Sequence, residues 1–149
     1  MKKDFGNKPL IYPQPVLVIA TYNEDGTANA MTAAWGGVCD YSKVSVIIDK
    51  SHKTAKNLVA KKAFTLSIAD FPHLKEADYL GIVSGNQVAD KVSKAGLTVS
   101  KSDQVDAPIL EDFPLTLECR LISYDETTGK ISEYSYYAGR SFGHFEAML

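Results

Sequence analysis

Short hydrophobic runs, several of them alternating with polar residues at every second position, occupy most of this chain. A period of two is typical of strands with one buried face, and an unbroken apolar run is typical of a strand buried on both faces. The pattern therefore predicts strands at 16–22, 27–35, 43–49, 63–69, 115–124 and 131–137, with a shorter candidate at 97–101.

Turn residues join these strands into hairpins. Gly26 ends an Asn-Glu-Asp-Gly sequence and can adopt the positive φ that closes the first hairpin. A second turn at 127–130 predicts that 131–137 returns beside 115–124. Both connections are short, so both pairs are expected to be antiparallel.

Helical spacing is confined to three short segments. The first, 51–62, places apolar side chains on one face and begins at Ser51, a natural N-cap. The second, 71–80, opens with a Phe-Pro pair that suits a first turn, and the third, 87–95, is closed by Gly96. These helices are insertions between strands.

The remaining segments are irregular. Three prolines in residues 1–15 predict an extended arm, and a proline-containing loop is predicted at 105–113. No internal repeat or low-complexity linker interrupts the pattern. Hairpin-linked strands with short helices indicate a mainly β protein, a closed or half-open antiparallel β-barrel with peripheral helices, forming one domain over 1–149.

The strand at 27–35 has unusually small side chains on one face. Alternation puts Ala28, Ala30, Thr32 and Ala34 on that face, and Asn29, Met31, Ala33 and Trp35 on the other. Alanine is a poor strand former, so propensity does not explain this composition. The small face allows close approach either by a neighbouring sheet or by a flat aromatic ligand.

The start of the predicted helix at 51–62 is basic. A helix N-terminus has free backbone N–H groups and favours anions, and its first turn normally favours acidic residues. Here the segment has no acid but four basic residues and three hydrogen-bonding ones, Lys50, His52, Lys53 and Lys56 with Ser51, Thr54 and Asn57. The arrangement favours a phosphate site, and the alternative is a solvated basic surface.

Composition changes this picture little. The net charge of −2 predicts no general attraction to nucleic acid or membranes. Because no signal segment or long apolar run is present, a cytoplasmic location is expected. Cys39 and Cys119 lie in apolar runs and are expected to be buried free thiols, and the three histidines lack ligand-like spacing with them, so no metal site is predicted.

Two further segments could contact a ligand or simply face water. One is the polar loop at 84–91, which contains Asp90 and Lys91, and the other is an aromatic and basic tail with Tyr134, Tyr136, Tyr137, Arg140 and His144. No acid, base or nucleophile stands out by spacing. A place for a flat ring and a place for a phosphate, without catalytic side chains, suit a protein whose cofactor carries the chemistry.

Several motifs together resemble the flavin reductase-like family of FMN-binding split-barrel proteins, with the flavoredoxin type as the most similar branch. The resemblance covers roughly residues 10–145 and rests mainly on Asp25-Gly26-x-x-Asn29-Ala30-Met31-Thr32-Ala33-Ala34-Trp35-Gly36-Gly37 and Ser51-His52-Lys53-Thr54-x-x-Asn57. Supporting matches are Ser84-Gly85, Asp90-Lys91, Gly96-Leu97, Leu117-Glu118-Cys119-Arg120-Leu121 and the segment from Tyr136 to Gly143.

The resemblance implies a six-stranded antiparallel split barrel and a homodimer with FMN near the subunit interface. It implies that the isoalloxazine ring is lined, partly through backbone groups, by Asn29, Ala30, Met31, Thr32, Ala33, Ala34 and Trp35. The ribityl phosphate would be held by Lys50, Ser51, His52, Thr54 and Asn57. Asp90 and Lys91 would reach the flavin from the same subunit or from the partner subunit.

The resemblance also implies function. The leading expectation is an NAD(P)H-dependent FMN oxidoreductase, in which hydride passes from a nicotinamide to the flavin and no side chain acts as a catalytic acid or base. The alternative is a flavoredoxin-like electron carrier with a redox-protein partner and no NAD(P)H turnover of its own. A third interpretation is a split barrel that no longer binds flavin.

The sequence departs from the family pattern near its end. Family members usually carry a longer segment where Gly129-Lys130 here runs almost directly into Tyr134. This chain is either a shortened variant or lacks part of that loop. The departure concerns the far wall of the expected site and any nicotinamide contact.

Overall fold

A computed structural model describes residues 4–6, 8, 11–125, 130–137 and 142–143, with side chains as far as Tyr124. The strands and helices follow one another as β1 Leu17–Tyr22, β2 Ala28–Ala33, β3 Gly36–Asp40, β4 Lys43–Asp49, α1 Lys53–Lys61, β5 Ala63–Ile68, α2 Leu74–Ile82, α3 Lys91–Lys94, β6 Val99–Lys101, β7 Pro108–Leu110, β8 Leu115–Asp125, β9 Lys130–Tyr137 and β10 Phe142–Gly143.

One antiparallel sheet dominates the described part of the chain. Its strands lie in the order β2-β1-β5-β8-β9-β4-β3, with β10 pairing β8, while β6 and β7 form a separate hairpin. The outermost strands, β2 and β3, are consecutive in sequence and are joined by a bend at residues 34–35. The sheet therefore curves into a barrel that is left open along one seam. Counting the bent β2–β3 segment as one strand gives the predicted six.

The β1–β2 hairpin forms as predicted. Its register pairs Leu17 with Ala33 and Tyr22 with Ala28. Gly26 closes the turn at φ 82°, a conformation that costs glycine little, and the Asn23 N–H donates to the Thr27 carbonyl at 2.8 Å. β1 pairs on its other side with β5, so its backbone is bonded along both edges and its side chains are buried on both faces apart from Tyr22.

Two hydrophobic cores lie on opposite faces of the β1–β2 hairpin. On one face, Ile19 and Ala33 belong to a core that includes Leu58 of α1. On the other face, Val18 and Ala30 pack with α2, α3 and β7. The alternation of side chains along the hairpin thus assigns α1 to one side of the sheet and α2 to the other.

Some predicted element boundaries are wrong. In the helix predicted at 87–95, only the four residues of α3 are helical, and the residues before them form a turn. The loop predicted at 105–113 contains the strand β7. The strand predicted at 27–35 ends at Ala33, and Gly36-Gly37 begin the separate strand β3. Tertiary pairing of β3 with β4 and of β7 with β6 supplies the bonds that local propensity did not indicate.

The two cysteines differ in environment. Cys119 is buried as expected, and burial together with the neighbouring Glu118 carboxylate raises the pKa of its thiol to about 12. The expectation for Cys39 is wrong, because its side chain is exposed on β3, the last strand of the sheet. Both are free thiols.

Among the described helices, none is long and apolar enough to cross a membrane. In the same residues, no group of three or more His, Cys, Asp or Glu side chains is placed to hold a metal ion.

Candidate functional site

The start of α1 leaves backbone donors without a side-chain cap. His52 occupies the N-cap position in an extended conformation, and among the described residues no side chain accepts a hydrogen bond there. The predicted capping role of Ser51 is therefore wrong. Ser51 lies one residue too early, in a turn where its N–H donates to Asp49 Oδ1 at 2.8 Å. That bond is the main reason why the pKa of the Asp49 carboxyl is lowered.

Positive charge surrounds this helix start. Lys50, His52 and Lys56 are exposed, Lys53 is half-buried, and the first turn contains no acidic residue. The helix dipole adds partial positive charge at the same point. The free N–H groups, the dipole and the basic side chains together form a place that favours an anion.

A buried side-chain pair connects this helix start to β2. Asn29 Nδ2 donates to Thr54 Oγ1 at 2.8 Å, and the two side chains are 1% and 2% exposed. Because Thr54 Oγ1 acts as the acceptor, its hydroxyl hydrogen remains available to a ligand. Gly85 packs against the pair, and a Cβ at this position would lie 2.3 Å from Asn29 Oδ1. Only glycine fits there without displacing Asn29.

These groups line a cleft of about 220 Å³, hereafter the cleft. Its walls come from β2, the start of α1, the end of α2, the following loop and Lys91. The lining residues are Met31, Thr32, His52, Lys53, Thr54, Leu80, Gly81, Ile82, Val83, Ser84, Gly85 and Lys91. The cleft therefore joins the predicted ring-lining strand to the predicted phosphate-binding helix.

Lys91 is a buried cation at the end of α2. Its Nζ donates to the carbonyl oxygens of Leu80 at 2.9 Å and Val83 at 2.7 Å, and the side chain is 2% exposed. These carbonyls belong to the last turn of α2 and the residue that follows it, so Lys91 neutralises the negative end of that helix. Burial lowers the pKa of Lys91 to about 8.

The structure brings five of the predicted site residues to the cleft, Met31, Thr32, His52, Thr54 and Lys91. Asn29 lies in the wall behind Thr54. Lys50 and Ser51 are exposed beside the helix start but are not among the lining residues.

Other predicted site residues lie elsewhere. Ala30 and Ala33 are buried in the two cores, and Ala34 and Trp35 are exposed at the β2–β3 bend. Asn57 is buried and donates through Nδ2 to Asn23 Oδ1 at 2.8 Å and to Thr21 Oγ1 at 3.2 Å. Asp90 is exposed and pairs with Lys94 at 3.0 Å.

The small face of β2 is covered by a helix. Ala30 packs in the same core as Ala77 of α2, and Thr32 Oγ1 donates to the Ala77 carbonyl at 2.5 Å. The small side chains of Ala28, Ala30 and Thr32 thus allow α2 to approach closely. A helix, and not a neighbouring sheet, therefore packs on this part of the strand, while Thr32 also lines the cleft.

Sequence reasoning recognised the charge of Lys53 and the polar loop at 84–91, but it missed the end of α2 as a wall of the site, namely Leu80, Gly81, Ile82 and Val83. Lys53 lines both the cleft and a neighbouring recess of about 490 Å³, whose other residues are Asn23, Glu24, Asp25, Gly85, Asn86 and Ala89. Gly85 lines both as well. The polar composition of residues 84–91 indicated an exposed loop, but it did not indicate that this loop packs against the start of α1. The tail residues Arg140 and His144, and the side chains of Tyr134, Tyr136 and Tyr137, lie outside the described residues.

Comparison with known structures finds close architectural relatives. Flavoredoxin of Desulfovibrio vulgaris (Miyazaki F) superposes with a TM-score of 0.88 at 33% identity, covering 97% of this chain and 77% of that one. A flavoredoxin from Methanosarcina acetivorans gives 0.83 at 24% identity, with 100% and 78% covered. An FMN-binding domain of a flavin reductases-like enzyme from Shewanella baltica OS155 gives 0.78 at 20% identity, with 87% and 69% covered. The fold is the predicted split barrel.

Two proteins with related sequences match most of this chain. Uncharacterized proteins of Aeropyrum pernix and Aquifex aeolicus are each 25% identical to this chain, over 119 and 125 residues respectively. The matches cover 78% and 77% of this chain but only 45% and 62% of those relatives. The family model described as flavin reductase like domain matches residues 10–134, so this chain belongs to the flavin reductase-like family.

Proposed function

We propose that this protein binds FMN in the cleft and oxidises NAD(P)H with it, as an FMN-dependent oxidoreductase. The observation that carries the proposal is the start of α1, where uncapped N–H groups, the Thr54 hydroxyl and several cations converge on one cleft. Such a helix start suits the phosphate of FMN. The chain spans about half of one curated relative and less than two thirds of the other, so the reaction and its partners belong to this proposal.

The described residues fit both the phosphate end and the ring end of FMN. The first-turn N–H groups and the Thr54 hydroxyl would donate to the phosphate, with Lys53 supplying charge and His52 lining the same end of the cleft. Met31 and Thr32, opposite the end of α2, would contact the ring end. When bound, FMN supplies hydride-accepting chemistry, while the protein binds it, orients it and limits access of water. No side-chain acid or base is needed for that step.

A flavoredoxin-like electron carrier is the second candidate. The similarity to flavoredoxin of Desulfovibrio vulgaris at 33% identity favours it. A carrier of this kind would bind FMN in the same cleft, exchange electrons with a redox-protein partner and need no nicotinamide site. The two candidates therefore share every cofactor contact and differ in the electron donor.

A visible spectrum of the purified protein tests the cofactor first. We expect the absorption bands of oxidised flavin to appear, or to shift on addition of FMN. Anaerobic addition of NADH, and separately of NADPH, should then bleach the flavin within minutes if the protein is a reductase. A flavin that stays oxidised with both would favour the carrier, and a protein that binds no FMN would contradict both candidates.

A homodimer is also proposed, through the exposed side of β3, β4 and the bend before them. Trp35 and Ile47 are exposed there, and the Ile47 N–H donates to the Trp35 carbonyl at 2.9 Å, so the two apolar residues are direct neighbours. Exposed apolar residues that cluster in this way suit a protein partner. A charged residue at Ile47 should weaken a dimer formed through this surface. Light scattering of Ile47→Asp and of the unchanged protein would measure it, and an unchanged mass would exclude this surface.

A further inference from the structure

We infer that Asn86 is a positioning residue that fixes the phosphate-binding end of the cleft and so gives the protein its preference for a phosphorylated flavin. This inference rests on the proposed function, because it assigns a role at the same site. Asn86 does not line the cleft itself. Its role would be exerted through Ser51 and Lys56, on either side of the α1 start.

The Asn86 side chain connects two separate segments. Its Nδ2 donates to the Ser51 carbonyl at 3.0 Å, and its Oδ1 accepts from Lys56 Nζ at 3.2 Å. Its own N–H donates to Ser84 Oγ at 3.3 Å, which orders the loop locally. One amide thus joins the loop after α2 to the turn before α1 and to a cation within α1.

These contacts hold a positive charge beside the α1 start, although Lys56 itself is not among the residues that line the cleft. Helical side chains lean toward the helix N-terminus, so Lys56 can reach back along the first turn. Because the same Asn86 amide bonds the Lys56 ammonium and the Ser51 carbonyl, it holds this charge close to the turn that precedes α1. Without Asn86, this exposed lysine would be distributed over many rotamers, and its charge would act less on a bound anion.

A second contact anchors the same loop. Gly85 packs directly against Asn29, which bonds Thr54 in the cleft wall. The loop therefore touches the cleft through Gly85 and the α1 start through Asn86. Because Gly85 fixes the loop independently, loss of the Asn86 side chain should change the phosphate end more than the ring end.

Comparison of two flavins tests this inference. FMN and riboflavin share the ring and differ in the phosphate, so their dissociation constants separate the two ends of the cleft. In Asn86→Ala we expect FMN to bind about 5- to 10-fold more weakly, the loss typical of one charge-assisted contact. Riboflavin affinity should stay within about twofold. Flavin fluorescence quenching on titration with protein measures both.

Three variants sharpen the test. Gln87→Ala removes a neighbouring exposed amide and should change neither affinity. Asn86→Asp keeps an acceptor for Lys56 but adds negative charge, so its FMN loss should exceed that of Asn86→Ala. In a Lys56→Ala background the Asn86→Ala effect on FMN should shrink to less than half, because the two residues act together.

Each failure has a distinct meaning. Equal losses for FMN and riboflavin in Asn86→Ala would overturn the inference in favour of general loop support. Unchanged FMN affinity would overturn it outright. If the unchanged protein bound neither flavin, the proposed function itself would fail, and this result is independent of any Asn86 variant.

Discussion

Two helix ends meet in the cleft, and the protein treats them in opposite ways. The C-terminal end of α2 is closed from within, since the buried Lys91 ammonium donates to two of its carbonyls. Among the described residues no side chain caps the N-terminal end of α1, and its first turn carries the basic residues Lys53 and Lys56 but no acidic one. In any isolated helix both the first N–H groups and the last carbonyl groups lack partners. Helix geometry therefore does not explain why a side chain satisfies the end of α2 but not the start of α1.

The comparison indicates which end is structural and which is functional. A buried cation that satisfies carbonyls stabilises α2 without any ligand. A positive helix end surrounded by positive side chains is mildly unfavourable until an anion arrives. Changes at the α2 end should therefore affect the stability of the ligand-free protein, and changes at the α1 start should affect the affinity for a phosphate. Thr54 lies at the α1 start and also bonds the buried Asn29, so its substitution should affect both.

The largest effect is expected at the α1 start. Thr54→Val keeps the side-chain shape but removes the only described acceptor of the buried Asn29 Nδ2. An unsatisfied buried donor costs about 1–3 kcal/mol, so we expect the free energy of unfolding to fall by about 2 kcal/mol without ligand. FMN should also bind about tenfold more weakly, because the Thr54 hydroxyl is lost. Urea unfolding and flavin titration measure the two effects.

Thr54→Ser is the matched control for this change. It retains the hydroxyl and should recover most of the FMN affinity, although loss of the buried methyl group lowers stability by roughly 1 kcal/mol. If Thr54→Val bound FMN as tightly as the unchanged protein, the α1 start would not hold the phosphate.

A smaller, pH-dependent effect is expected at the α2 end. The pKa of Lys91 falls from 10.5 to about 8 through burial, so the unfolded chain binds more protons than the folded protein above pH 8. Stability contributed by this group should therefore rise with pH, by about 1 kcal/mol between pH 7.5 and 9. Urea unfolding at both pH values, compared with Lys91→Met, isolates the contribution.

The comparison with Lys91→Met removes the effects of other titrating groups. Cys119, for example, acts in the opposite direction above pH 9, since its thiol stays protonated in the folded protein. An equal pH dependence in both proteins would mean that Lys91 is fully charged throughout this range. Its two carbonyl contacts would then outweigh its burial.

The smallest effect is expected at the far end of α1, which lies outside the cleft. Lys62 closes the helix in a left-handed conformation at φ 56°, where glycine is favoured over lysine by roughly 1 kcal/mol. Lys62→Gly also loses the contact of Lys62 Nζ with the Tyr124 ring at 5.0 Å, so we expect a net stabilisation of about 0.5 kcal/mol. Thermal unfolding measures it.

FMN affinity should not change in Lys62→Gly. A loss of affinity would show that the two ends of α1 are coupled, and the distinction between structural and functional ends would then be weaker than the geometry indicates.

Much of the fold could be predicted from local patterns. The strand at 43–49, the turn at Gly26 and the return strand β9 all follow from signals within a few residues. β3 and β7 were missed because short strands depend on partners that are distant in sequence. Ser51 does not cap α1 for a local reason. Its N–H donates to Asp49 in the preceding turn, and the helix begins one residue later than predicted, with His52 at the N-cap position.

The site was predictable only in part, for a similar reason. The basic helix start is contiguous in sequence, so its charge could be recognised. Asn86 and Gly85 join it from about thirty residues away, and no periodicity indicates such a contact. The burial of Ala30 was also not predictable, because a face of small side chains suits a helix as well as a ring.

The bend at 34–35 has a consequence for synthesis on the ribosome. Residues 17–49 contain both flanks of the sheet, while the strands between them, β5, β8 and β9, are all made later. The two flanks cannot be joined through hydrogen bonds until β9 has emerged at residue 137. The nascent chain must therefore keep two apolar hairpins from aggregating while nearly ninety further residues are added, and we expect the sheet to be completed only after β9 has been made.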